Sequence, residues 1–240
     1  MEPMDIKTLV EELKHQGRSL LLPGMTDRSK IAVDEQGLAS LLELAYRKRV
    51  AQRRMAYAPN GLTSGAIRKL AHFLTDAKDN RFMIVLDGSP ATGKTTLMQA
   101  MRQTLWWLAE QKIVADDVEL KIHDATKLCN LMDSTREWNE LISWPSYLGI
   151  EDLGCEPAEI LRWGNPLYPL REVLTARYEM RLPMVVSTNL DSDQLREHLG
   201  LRIVSRMNEM AYYIHFENQD FRKLNWFQHH PEVKREFVTG

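Results

Sequence analysis

The sequence predicts an α/β protein: a parallel sheet with helices on both faces, preceded by a short helical segment. Three observations carry that prediction. From Arg81 onward, short apolar runs alternate with helical patterns in a βαβαβαβ order, the rhythm of parallel strands joined by crossover helices. Between the first apolar run and the first of those helices stands Gly88-Ser89-Pro90-Ala91-Thr92-Gly93-Lys94-Thr95, which matches GxxxxGK[ST] at every fixed position. The 240 residues, 44% hydrophobic and 27% charged, suit one sizeable core plus a small extra module.

Ahead of the alternation, Leu9, Leu13 and Leu20 mark one helix. Leu38, Leu41, Leu42, Ala45 and Tyr46 mark a second by their three-to-four spacing. Leu22-Pro23-Gly24-Met25-Thr26-Asp27 supplies the break between them. Pro59-Asn60-Gly61 punctuates next, and Thr63 or Ser64 is expected to cap a helix carrying Ile67, Leu70 and Phe73. Strands are expected at 81–87, 118–122, 146–150 and 184–188, with a last one at 211–216, which makes five. The helices between them are expected to run from Thr95 to about Glu110, from Asp124 to about Ser143, and from Leu167 to Met180 after Pro166. Residues 1–60 thus read as a helical N-terminal module for partner binding, and 61–240 as the core.

Composition excludes some functions. A net charge of −2 gives no overall pull toward nucleic acid, so any DNA contact has to come from a local basic patch. Cys129 and Cys155 lack CxxC spacing, which argues against a zinc site or a disulfide framework and fits a reducing cytoplasm. No run has the length of a membrane span, and Met1–Val10 is too acidic for a signal peptide.

The glycine-rich loop predicts phosphate binding. Its glycines allow a tight turn that brings backbone N–H groups against phosphates, Lys94 reaches the β and γ phosphates, and the Thr95 hydroxyl can ligate Mg²⁺. The helix that follows points its positive end at the anion. The expected nucleotide-binding set is Gly88, Ser89, Pro90, Ala91, Thr92, Gly93, Lys94, Thr95 and Thr96. Hydrolysis also needs an acid for Mg²⁺ and a group that polarises water. Glu151-Asp152, which closes the third expected strand, is the best candidate for both, against the plainer reading of a solvated loop pair, whereas Asp116-Asp117 precedes a strand, at the wrong end of the sheet.

Over about Phe82 to Arg222 the sequence resembles the AAA+ ATPases of the DnaC/DnaI helicase-loader and IstB transposition-helper type. The resemblance rests on the Gly88–Thr95 loop, Ile150-Glu151-Asp152-Leu153-Gly154, Ser187-Thr188-Asn189-Leu190 and Leu199-Gly200-Leu201-Arg202-Ile203-Val204-Ser205-Arg206-Met207, with the last two in the family's order and short separation. It implies a three-layer AAA+ core that binds ATP with Mg²⁺. Leu153-Gly154 sets the register, so that Glu151 and Thr95 fall at the metal position and Asp152 at the water-polarising one. This acidic pair is inverted relative to the family, and the longer Glu151 puts hydrolysis rate in question more than binding. Asn189 matches the sensor residue, against the competing reading of a cap or turn asparagine beside Asp191. Arg206 matches the arginine finger given to the nucleotide of the next subunit, which implies a homo-oligomer when ATP is bound. A surface arginine bridging Glu209 or Glu197 is the plainer reading. No helical lid of the kind many AAA+ proteins carry is expected after the last strand, and Phe221-Arg222 resembles the short segment that ends loaders and helpers.

The expected function is therefore an ATP-dependent DNA-replication accessory protein that acts on a replicative helicase and favours single-stranded DNA. The alternatives are a transposition helper working with a transposase on double-stranded DNA, a small-molecule P-loop kinase, and a nucleotide-gated scaffold. Arg47, Lys48, Arg49, Arg53 and Arg54 form a basic run, read either as a solvated face or as a contact for DNA phosphates or an acidic partner. Of Trp106 and Trp107, one ring is expected in the core and the other is available to an interface. Trp138, Trp144 and Trp163 are expected to pack in the core, with stacking on single strands as the other reading.

Overall fold

The computed structural model describes residues 30–53, 55, 57, 60–162, 164–218 and 220–221. The first expected helix and the break after it, Arg54, Pro59, Trp163 and Arg222 lie outside the described residues. In chain order the elements are α1 (Glu35–Gln52), α2 (Gly61–Thr75), β1 (Met83–Gly88), α3 (Lys94–Glu110), β2 (Leu120–Asp124), α4 (Ala125–Asn130), α5 (Thr135–Ile142), β3 (Tyr147–Leu153), β4 (Ile160–Arg162), β5 (Asn165–Leu167), α6 (Pro169–Glu179), β6 (Met184–Thr188), α7 (Ser192–Leu199), α8 (Leu201–Met210) and β7 (Ala211–Phe216).

Five strands form one parallel sheet in the order β2-β3-β6-β1-β7. Alternation along β1 sorts the core into two layers. Ile84 and Leu86 face Leu38, Leu42, Leu70, Leu97 and Met101 of α1, α2 and α3. Met83 and Val85 face the layer built by α4 to α8, with Leu128, Leu141, Val173, Leu195 and Met207. The strand order puts β6 between β1 and β3, so the phosphate loop, the acidic pair and the segment after β6 emerge at the same carboxyl edge.

Several bounds differ from expectation for identifiable reasons. β2 begins at Leu120, because Val118 is held in a turn by its N–H bond to Ala115. β3 runs on to Leu153, which places Glu151 and Asp152 inside the strand's irregular end. The helix expected over 124–143 is broken. Ser134 takes an extended backbone (φ −108°, ψ 102°) and caps α5 by accepting the Glu137 N–H. α6 starts at Pro169 because Asn165–Leu167 pairs with Ile160–Arg162 in a small antiparallel hairpin that sequence reading missed. α2 is capped by Asn60, whose side chain accepts the Thr63 N–H at 2.7 Å, and not by Thr63 or Ser64.

Candidate functional site

The loop after β1 wraps the N-terminus of α3. Gly93 stands at the N-cap of α3 in the left-handed region (φ 111°), with no side chain capping the helix. A Cβ there would collide with the Tyr46 hydroxyl, so glycine serves both the backbone and the packing. The first-turn N–H groups of α3 are therefore available to an anion. Lys94 is buried, with its ammonium donating to the carbonyls of Gly88 (2.6 Å) and Ser89 (2.7 Å). Burial pulls its pKa down, against the pull of Asp152 and Asp87. Thr92 Oγ1 donates to Ser89 O at 2.8 Å, and Asn218 Nδ2 bridges Thr63 Oγ1 and Thr92 O, both at 3.1 Å.

Over this loop lies a cavity of about 220 Å³. Pro90 to Thr96, Asp152 and Asn189 line it together. Asp152 is held there by a strained turn. Its backbone is left-handed (φ 56°), its N–H donates to Ser187 Oγ at 3.1 Å, and its carbonyl accepts the Cys155 N–H at 3.0 Å. Gly154 (φ 101°) closes the turn against Leu190. Its N–H donates to Glu156, whose other oxygen meets His198 Nε2 at 2.6 Å, tying the acidic turn to α7. Asn189 is not the cap of α7: Asp191 is, in a capping box with Gln194, which leaves the Asn189 amide to the cavity.

Glu151 stands apart from Asp152. It is not among the cavity-lining residues, and its Oε1 accepts from Gln99 Nε2 on α3 at 3.2 Å. Burial raises its pKa, opposed by the Gln99 bond and supported by the charge of Asp152. Among the described residues, no three His, Cys, Asp or Glu side chains converge as a metal site. A hard divalent cation here would draw on Thr95, one carboxylate and phosphate oxygens, a donor set that suits Mg²⁺.

The finger candidate lies elsewhere. Arg206 on α8 is 16% exposed, donates to Glu179 Oε1 at 3.3 Å and stacks 4.8 Å from the Tyr178 ring centroid. Arg202, one turn before it, is exposed. Neither arginine lines the cavity.

Sequence reading missed the other wall of the cavity. Tyr46, Val50, Met55, Tyr57 and Phe221 form an aromatic and apolar surface suited to a base, with Arg53 beside it. Tyr46 and Tyr57 pack edge to face with centroids 5.9 Å apart, and burial raises the Tyr46 phenol to about 12. Phe221 reaches the loop through its N–H to Ala91 O at 3.1 Å. Phe221 had a sequence signal in the Phe221-Arg222 segment and Arg53 one in the basic run, but neither pointed to this cavity.

The tryptophans divide. Trp106 is 53% exposed, while Trp107 is half-buried beneath Lys48. Trp138 is buried, its indole N–H donating to Glu172, and Trp144 packs against Lys121. An open groove of about 1010 Å³ runs along edge strand β2. Arg49, Arg102, Trp106 and Lys121 line it, with Glu110 and Glu119 among them.

No family model and no curated protein matches the chain. Solved structures do. The DnaC helicase loader is 24% identical over 67% of this chain and 93% of its own, with a TM-score of 0.50. A candidate primosome component from Streptococcus pyogenes serotype M3 is 18% identical over 73% of this chain and 97% of its own, also with a TM-score of 0.50. These likenesses, with the strand order and the loop between β1 and α3, make the fold an AAA+-type P-loop core.

Proposed function

We propose that this chain is an ATP-binding and ATP-hydrolysing accessory protein of DNA replication, resembling helicase loaders, whose ATP site is completed between two copies. The observation that carries the reading is the meeting of the phosphate loop, Asp152 and Asn189 in one cavity, while Arg206 lies on a different surface. The N–H groups at the start of α3 and the Lys94 ammonium hold the phosphates, with Lys94 leaving the Gly88 and Ser89 carbonyls to do so. The Tyr46, Tyr57 and Phe221 wall takes the base. Asp152 polarises the attacking water and Asn189 orients it against the γ-phosphate. Mg²⁺, held by Thr95 and by Glu151 once it turns from Gln99, would neutralise developing phosphate charge. Arg206 of a neighbouring copy stabilises the transition state after release from Glu179.

The DNA assignment rests on the groove along β2, where Trp106 offers a stacking face among Arg49, Arg102 and Lys121. Residues 1–60 are the proposed helicase-binding module, and the DnaC likeness supports a replicative helicase over a transposase as partner. The test is an ATPase assay with and without DNA. Turnover should rise with single-stranded DNA more than with duplex and be abolished in Lys94→Ala. A chain that binds no adenine nucleotide at millimolar concentration would refute the proposal.

A further inference from the structure

The basic run on α1 does not act as one patch. Arg47 is paired with Glu43 at 2.7 Å, Lys48 lies over the Trp107 ring, and Arg49 bonds Gln52 at 3.1 Å. Arg53 differs from all three. It is the C-cap of α1, where its backbone N–H, not its side chain, satisfies the helix end. Among the described residues its guanidinium makes no ion pair or hydrogen bond, and the residue lines the phosphate cavity with Lys94 and Thr95.

The neighbours locate it further. Tyr46, about two helical turns before Arg53 on the same face, sets its hydroxyl against Gly93 at the start of α3. The Arg53 charge is near enough to that hydroxyl to offset part of the rise that burial causes. A planar, permanently charged fork with no acceptor among the described residues, at the rim of a cavity whose floor is built for phosphate, is complementary to a polyphosphate chain.

We infer that Arg53 is a nucleotide-binding residue whose guanidinium meets the polyphosphate of the bound nucleotide, so that nucleotide holds the end of α1 onto the P-loop. The inference rests on the nucleotide reading above and extends it to a residue on α1. It also places a cation on the nucleotide from the N-terminal side of the core, ahead of β1.

Calorimetric titration of the full chain with ATP, ADP, AMP and adenosine tests it. Arg53→Ala should weaken ATP and ADP binding about tenfold, the loss expected for one charge-assisted hydrogen bond. Adenosine affinity should stay within about twofold, and Arg53→Lys should recover part of the loss because it keeps the charge without the fork. Because Arg53 is exposed, thermal unfolding without nucleotide should be unchanged in both variants. ATP binding by Arg53→Ala equal to that of the unaltered chain would overturn the inference. So would an equal loss for adenosine and ATP, which would put Arg53 on the base. In both cases the nucleotide reading stands. If the unaltered chain itself fails to bind ATP, that reading falls, and this inference with it.

Discussion

Arg177 is fully buried and, among the described residues, has no carboxylate partner. Its guanidinium instead donates to the carbonyls of Leu141, Ile142, Trp144, Ser146 and Pro183, gathering the end of α5, the entry to β3 and the entry to β6. Burial pulls its pKa down to about 9, still high enough for the group to stay charged at neutral pH. Arg177→Met strands those carbonyls without donors and should cost about 3–5 kcal/mol, read as a lower denaturant midpoint. Glu151 offers the opposite case. Burial raises its carboxyl pKa in the folded state, so the fold is favoured while the acid is protonated. That advantage is complete below the unfolded pKa and is lost as pH rises through the folded value. At neutral pH the charged, half-buried group is a net cost. Glu151→Gln keeps a partner for Gln99 and should raise stability at pH 7 by at most about 1 kcal/mol, solvent screening having trimmed the effect. Thermal unfolding at pH 7 and pH 4 checks the sign, since the gain should vanish at the acid end while ATPase activity is lost.

At the scale of elements, α8 carries the intersubunit proposal. Arg206→Ala should leave ATP binding within about twofold but lower turnover at least about a hundredfold, as loss of a finger does elsewhere. Mixing Arg206→Ala with Lys94→Ala chains should recover activity, because mixed interfaces pair an intact loop with an intact finger. Failure of the mixture to gain any activity would count against a shared site. The elements also show what the sequence could reveal. β6 and β7 lie at the residues expected, since Pro183 stops the preceding helix before the apolar run of β6, and polar Asn189 and Glu217 follow the two strands. The break in the helix over 124–143 was hidden because Leu128, Leu131, Met132 and Leu141 keep an apolar spacing across it, while the backbone at Ser134 decides the matter. The β4–β5 hairpin is too short, and too interrupted by Gly164 and Pro166, to show a period of two. The phosphate side of the cavity is one contiguous motif and was legible. The base side joins residues 46–57 to Phe221, and nothing local in the sequence links them.

For the whole molecule, ATP should raise the unfolding temperature of the unaltered chain but not of Lys94→Ala, by about 2.7 kcal/mol of added stability at a hundredfold excess over Kd. Turnover per chain should also climb with protein concentration if neighbouring copies complete the site. α1 spans the distance between two anchored points. It has 18 residues, about 27 Å of helix at 1.5 Å per residue. Just ahead of it the Ile31 N–H bonds Leu74 O and Lys30 bonds Phe73 O, fastening that end to α2. Its other end, Arg53, lines the cavity over the phosphate loop. Between these ends Leu38, Leu42, Ala45 and Tyr46 are buried against α2 and α3, so α1 is a stiff rod that joins the Asp34 end to the cavity. On the proposal that Arg53 meets the bound nucleotide, a partner that displaces this helix would change the grip on nucleotide, and by reciprocity bound nucleotide would change that partner's hold on the helix.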